Sequence, residues 1–331
     1  MNKLTSSARH KPMDFFAKWG TIATIVVMFT FFSVHLWGMF FTQSNLLSIL
    51  RSASITTVIA IGMTFAVAAG GMDLSLGAIA GFSMNLVAMC FIWWQMNTFF
   101  ALIITLTISS LLGFINAFLI VRFKIPDMLA TLAVQFMING IAITMAGGGS
   151  ITEGVVRSNG LPAQGKMEPI FRAMGRAPTI VIIMLVVVVL ALLFFKFHKF
   201  GRYIYVVGEN IGAAKLSGIN VNKFRTMAYV ASAFCAALGG ILLAARLGSA
   251  QLNAGDGYLM PSVAATFIGL SVAGAGKANP LGTMLGALLM SIMENGLIME
   301  AVPYYSVNIF KGIVLAIALT LAFIGNKDSS K

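Results

Sequence analysis

The chain is divided into a succession of apolar runs, each about as long as a helix that crosses a bilayer. Roughly 20 apolar residues span the hydrocarbon as an α-helix. Runs of that kind, bounded by charge, Gly or Pro, fall at 21–40, 46–69, 74–94, 99–121, 128–146, 179–197, 227–245, 258–276, 281–300 and 307–325. Of the 331 residues 59 % are hydrophobic and only 10 % are charged, a balance outside that of soluble domains. The ten-residue alternation of an outer-membrane barrel is absent from the sequence. The expected fold class is an all-α, polytopic membrane protein of about ten transmembrane helices. One transmembrane domain is expected over 21–325, between a basic N-terminal segment at 1–20 and a tail at 326–331.

An even number of crossings places both termini on one side. If that side is cytoplasmic, 15 Lys and Arg fall on inner segments and 6 on outer ones, as the positive-inside rule requires. Lys311 lies within the last run and is expected to snorkel outward. Lys3, Arg9, Lys11 and Lys18 precede the first run, and no small-residue cleavage site follows it. That run reads as a retained helix and not as a signal peptide. The net charge of +12 is accounted for by inner loops meeting anionic membrane lipids, with no nucleic-acid partner implied.

Enzymatic signatures are missing. SVAGAGKANP at 271–280 has serine where a phosphate loop begins with glycine, and alanine follows Lys277 where Ser or Thr belongs. No ATP site of the chain's own is expected. His10, His35 and His198 are scattered, and neither a metal-ligand spacing nor a GxSxG elbow occurs. Cys90 and Cys235 both sit in apolar runs, where neither a disulfide nor a thiolate metal site is expected.

Few polar groups remain inside the runs, and these are the candidate functional residues. In AAGGMDLSLGAIAG at 68–81, Gly70 and Gly71 let the chain turn, and Asp73 precedes a new apolar run. A side-chain oxygen there can close the free N–H groups of a helix start, each of which costs several kcal/mol if left unpaired in hydrocarbon. Asp73 and the nearby Ser75 can therefore act as a helix cap or border a translocation path. Glu294 and Asn295, in the ninth run, have the same two readings: interhelical hydrogen bonding or the lining of a path. The GxxxG spacings Gly77–Gly81 and Gly282–Gly286 suit close packing within one subunit.

Two connections are long. The outer one, 147–178, is Gly-rich and mixed in charge, and reads either as a passive connector or as a docking surface and lid. In the inner one, 198–226, the stretch Gly212–Gly218 has the composition of one short helix outside the membrane.

GGMDLSLGAIAG at 70–81, GFINAFLIVRFKIPDMLATLA at 113–133, the stretch from FGRYIYVVGENIGAAKLSGINV to AARLGSAQLNAGDGY, GTMLGALLMSIMENGL and YYSVNIFKGIVLAIAL together resemble the ribose-type ABC importer permeases over nearly the whole chain. The resemblance implies a bacterial inner-membrane permease in the helix arrangement of the vitamin B12 importer. It implies a second permease chain, identical or a similar paralogue, two cytoplasmic ATP-binding-cassette ATPase subunits and a periplasmic sugar-binding protein. ATP and Mg would be bound by the partner subunits, with no cofactor in this chain. It also implies that a cytoplasmic coupling helix docks into the ATPase, and the matching residues are Gly208, Glu209, Asn210, Ala213, Ala214, Ser217 and Gly218. The chain departs from the family pattern in three places. GENIGAA lacks the proline of the usual coupling-helix entry, LSVAGAGKANPLGT replaces a more glycine-rich turn, and Glu294 stands where asparagine is frequent.

The competing classes are an ion-coupled secondary transporter, which the sparse membrane carboxylates disfavour, and a structural or receptor-like membrane subunit. The branched-chain amino-acid permeases of the same broad superfamily are the nearest alternative, although the DLS and AARLGSAQ stretches stand closer to the sugar branch.

Overall fold

A computed structural model describes residues 10–156, 160–272, 277–303 and 305–316. In chain order its helices are α1 (His10–His35), α2 (Gln43–Ala68), α3 (Leu76–Ile92), α4 (Thr98–Arg122), α5 (Asp127–Met145), α6 (Pro169–Met174) and α7 (Thr179–Phe197). They continue with α8 (Lys199–Glu209), α9 (Ile211–Leu216), α10 (Val221–Leu247), α11 (Leu259–Ser271), α12 (Pro280–Met299) and α13 (Val307–Ala316). The described residues contain no β-strand, only the isolated bridges Ile151–Ala250 and Val156–Pro162. The turn at 273–276, the second half of the last expected helix and the two terminal segments, 1–9 and 326–331, lie outside the described residues.

The chain is an all-helical membrane protein. Among the described residues, α2, α4, α5, α7, α10 and α12 are each long and apolar enough to cross a bilayer. The expected run at 258–276 is shorter than that: α11 has 13 residues, about 20 Å at 1.5 Å per residue. The physical reason lies just before it. Residues 249–258 leave the end of α10 and turn back along the start of α3, so α11 begins part-way along the bundle. Gly255 makes this possible, because a Cβ there would overlap the Gly77 carbonyl and the Gly81 amide. The Gly77–Gly81 spacing thus receives a strand of backbone from the same chain.

Asparagine starts four helices. Asn97, Asn210, Asn220 and Asn279 accept the N–H groups of Phe100, Ala213, Lys223 and Gly282 at 3.1, 2.9, 3.0 and 2.6 Å. Such side chains satisfy donors that the helix itself leaves free. The Asn220 cap explains why α10 begins at Val221, six residues before its apolar run at 227.

α10 forms the axis, packed against α2, α3 and α4. Its most apolar window is 72 % buried and that of α2 is 67 %, whereas that of α4 is 22 %, so α4, with α5 and α7, faces outward. At one end of the bundle lie α8, α9 and the α2–α3 turn. At the other, the 147–178 segment is held by Glu168 Oε2, which accepts the Thr98 N–H (3.1 Å) and hydroxyl (2.5 Å) at the start of α4.

Candidate functional site

The α2–α3 turn uses each glycine differently. Gly70 has φ +79°, and the Gly71 N–H reaches back to the Ala66 carbonyl at 3.0 Å to close α2. At Gly71 a Cβ would overlap the Asp127 carboxylate and the Tyr229 hydroxyl. Beyond them, α3 begins only at Leu76, with Ser75 at its N-cap position and no side chain accepting its first free N–H groups. A turn at Leu74–Ser75 sets the helix start too far on for Asp73 to reach those donors.

Asp73 instead ties three helices together. Its Oδ1 accepts the Ser75 N–H (3.0 Å), the Ser75 hydroxyl (2.6 Å) and the Asn116 amide of α4 (3.3 Å). Its Oδ2 accepts the Ser232 hydroxyl of α10 at 2.8 Å. Asp73 and Ser75 are both fully buried. The Leu74 N–H is taken by Thr131 of α5 at 3.0 Å. Nearby, Asp127 accepts the Arg225 guanidinium on both oxygens at 2.5 Å and the Tyr229 hydroxyl at 2.6 Å. Arg225, Tyr229 and Ser232 follow one another at helical spacing, so one face of α10 serves both carboxylates. Nothing local marks Asn116, Thr131, Asp127, Arg225, Tyr229 or Ser232 as members of this cluster, since only the fold joins positions up to 159 residues apart.

The α8–α9 unit lies directly beneath this turn. The inner connection holds two helices where one was expected, because Asn210 is extended (φ −155°, ψ 103°). Gly208 and Glu209 therefore end α8, Asn210 caps α9, Ala213 and Ala214 lie within α9, and Ser217 and Gly218 follow its last turn. Gly208 packs on Gly70, where a side chain would overlap the Ala68 carbonyl. Ala214 is fully buried, while Gly212, Ala213, Lys215 and Ser217 are exposed and Leu216 is 93 % exposed. On the other flank, Glu209 pairs with Lys277 at 2.6 Å, and the Tyr205 hydroxyl donates to the Ala278 carbonyl. Burial pushes the Tyr205 hydroxyl up to about 12. The amphipathic helix α8, with Gly201, Ile204 and Val207 buried, has too short an apolar face to stand out in the sequence.

Glu294 of α12 lies apart from that cluster. Its Oε1 accepts the Lys311 ammonium of α13 at 2.8 Å. Lys311 does not snorkel outward: its side chain is 10 % exposed, because the carboxylate holds it inside the bundle. Asn295 is partly buried, and its Oδ1 has no hydrogen-bond partner among the described residues.

A further polar pair was missed. Asn139 of α5 donates to Asp256 Oδ1 and Oδ2 at 3.2 and 3.3 Å. Asp256 falls between the apolar runs at 227–245 and 258–276, and the returning segment carries it into the bundle. By contrast, the cavity of about 590 Å³ between α2, α4, α7 and α10 is lined by side chains such as Phe65, Phe114, Leu190 and Phe234. It offers little to a polar solute. Among the described residues, no three His, Cys, Asp or Glu side chains converge as metal ligands.

Known proteins resemble this chain along most of its length. Residues 45–319 match the family described as "Branched-chain amino acid transport system / permease component". The ribose import permease protein RbsC of Escherichia coli (strain K12) is 32 % identical over 280 residues, covering 85 % of this chain and 86 % of the relative. That of Bacillus subtilis (strain 168) is 34 % identical over 291 residues, with 85 % of each chain covered. The xylose transport system permease protein XylH of Escherichia coli (strain K12) is 27 % identical over 351 residues, covering 90 % and 89 %. No solved structure matches. With the family match covering residues 45–319 and the ribose and xylose permeases aligned over 85 % and 90 % of this chain, the chain belongs to the ABC-importer permease family described by that match.

Proposed function

We propose that this chain is the membrane subunit of an ATP-driven importer that moves a sugar from periplasm to cytoplasm by alternating access. It would sit in the bacterial inner membrane with both termini and the α8–α9 end in the cytoplasm, its helices arranged as in the vitamin B12 importer. Two such chains, or this chain and a similar paralogue, would pair above two ATPase subunits that bind ATP and Mg. A periplasmic sugar-binding protein would deliver the solute to the 147–178 face.

The observation that carries this reading is the exposed α9 stub with Leu216 at its tip, anchored by Ala214 and resting on the Gly70–Gly208 contact. An apolar side chain displayed in water beside a basic membrane face suits insertion into a groove on another protein. A push on α9 passes through Gly208 to the Asp73 turn, which is tied to α3, α4 and α10, and so can alter which face of the bundle is open. Asp73 and Ser75 would act here as positioning residues of that turn.

The test is reconstitution with the partner ATPase and binding protein, measuring ATP hydrolysis and D-ribose uptake together. Ala214→Pro should leave a folded permease while hydrolysis no longer drives uptake. Coupled transport at the normal rate in that variant would refute the docking assignment.

A further inference from the structure

We infer that Asp256 and Asn139, with Asn85 and Asn253 beside them, form a solute-contacting site suited to the hydroxyl groups of a neutral polyhydroxylated molecule. The inference rests on the permease reading above and adds a place along the path and a recognition chemistry to it.

Depth is the first observation. Asn139 stands 12 residues after the first residue of α5 and 6 before its last, so it lies about 18 Å and about 9 Å from the two ends of a membrane-length helix. Asp256 is bonded to Asn139 and therefore shares its level. It is held there by Gly255, seated against Gly77 and Gly81.

Exposure is the second. Asp256 and Asn139 are partly exposed and Asn253 is exposed, although they lie beside the outward-facing helix α5. Among the described residues no Lys, Arg or His forms an ion pair with Asp256. An unpaired carboxylate turned towards acyl chains is strongly unfavourable, so such groups face a bundle interior or water. This face of α5 therefore borders a water-filled path or a second chain that encloses one. The crevice between Asn85, Asn139 and Asp256 is about 10 Å³, room for about one water, so the site is nearly closed in this conformation.

Chemistry is the third. Asn139 gives one N–H₂ group to both carboxylate oxygens at 3.2 and 3.3 Å, which leaves accepting capacity on each. The Asn85 amide donates to the Ala142 carbonyl at 3.4 Å, a weak contact that a ligand can replace. Carboxylate and amides side by side offer both acceptors and donors, as paired sugar hydroxyls require. A cation is disfavoured, because the Asn139 amide points its positive end at the oxygens a metal or sodium ion would need, and only one carboxylate is present.

Two measurements test this in the reconstituted complex. With D-ribose as probe, Asp256→Ala and Asn139→Ala should each raise the concentration for half-maximal uptake by 10-fold or more, with Asp256→Asn intermediate and ATP hydrolysis within two-fold of wild type. Unchanged uptake by both alanine variants, in a wild-type complex that transports ribose, overturns the site. In parallel, Asp256→Cys should react with a charged methanethiosulfonate reagent, while Cys90 and Cys235 stay buried and unlabelled. An unlabelled Asp256→Cys overturns the site whichever solute the wild-type complex carries. Uptake that requires sodium and is abolished in Asp256→Asn overturns the hydroxyl-binding assignment in favour of a cation site. A wild-type complex that carries no sugar refutes the permease reading instead, and the labelling result still decides whether Asp256 borders water.

Discussion

The Ser232 hydroxyl lies 2.8 Å from Asp73 Oδ2, so the middle of α10 is fastened to the turn that opens α3. Asp73 takes four hydrogen bonds in all and is fully buried. Replacing it with leucine strands the Ser75 N–H and the Ser75 and Ser232 hydroxyls, while the Asn116 amide keeps the Ser75 oxygen as acceptor at 2.7 Å. Leaving buried donors unpaired costs about 1–3 kcal/mol each, so Asp73→Leu should destabilise the bundle by more than about 3 kcal/mol. Asparagine keeps an acceptor for Ser75, and its amide can donate to the Ser232 oxygen, limiting the loss to about 1–2 kcal/mol. Unfolding of the purified protein in mixed micelles should give that order, and equal stability of the two variants contradicts it.

The neighbouring carboxylate gives a steric prediction. A Cβ at Gly71 would overlap Asp127 and Tyr229, both locked by hydrogen bonds, whereas one at Gly81 meets nothing closer than 3.8 Å. Overpacking costs about 1–3 kcal/mol, while alanine within a helix gains about 0.5–1 kcal/mol over glycine. Gly71→Ala should lower the thermal midpoint of the detergent-solubilised protein, and Gly81→Ala should leave it equal or higher.

These two positions also mark how far the sequence could be read. Helix existence was legible because apolar length is a local property: the runs at 179–197 and 281–300 match α7 and α12 to within a residue. The paired glycines and Asp73 were legible as a turn for the same reason. The partners of Asp73 were not, because Asn116 and Ser232 carry no local mark that distinguishes them from any other polar residue in a span. The path of residues 249–258 was not legible, because their dip along α3 depends on Gly255 seating its backbone against Gly77 and the Gly81 amide, a meeting that only the fold brings about. The inner connection was half legible, since Gly212–Gly218 showed a helix, but its break from α8 rests on the backbone angles of Asn210.

The 147–178 segment should respond to acid. Glu153 accepts the Arg172 guanidinium at 2.6 Å and the Met167 N–H at 2.8 Å. Partial burial alone would raise its carboxyl, but these hydrogen bonds and the charges of Arg172 and Lys166 outweigh it and hold the group below its ordinary 4.5. A lowered folded-state value means that the clip is fully stabilising above the unfolded value and is lost as pH falls through the lower one. Protease cutting within 147–178 should therefore accelerate only below about pH 4.5 in wild type. Glu153→Gln should be cut faster at neutral pH and show no such step.

Leu216 offers a test of docking that spares the fold. At 93 % exposure it contributes little to the isolated bundle, so Leu216→Asp should change stability by less than about 0.5 kcal/mol. Truncating an apolar anchor in a groove typically costs about 2 kcal/mol or more of binding, and a charge costs more still. Co-purification with the partner ATPase should fall at least about 30-fold in affinity, by that conversion. Full retention of the ATPase would remove Leu216 from the contact.

The Glu294–Lys311 pair is best examined as a double-mutant cycle. Both groups lie within helices of the bundle, with side-chain exposures of 35 % and 10 %, and they meet at 2.8 Å. Removing one partner leaves the other charge poorly solvated, an outcome that costs about 3–5 kcal/mol in fully buried pairs and less where one side chain reaches water. Lys311→Met alone should therefore destabilise more than Glu294→Gln alone, because a carboxylate is left without its ammonium in the first case, while in the second the ammonium retains a neutral amide oxygen as acceptor. The double variant Glu294→Gln, Lys311→Met leaves no charge behind and should recover at least half of the Lys311→Met loss. Additive single effects in denaturation curves would show that the two side chains act independently. A recovered double variant that also transports normally would assign the pair to holding α13 on α12, and a recovered one that no longer transports would place Glu294 in the path.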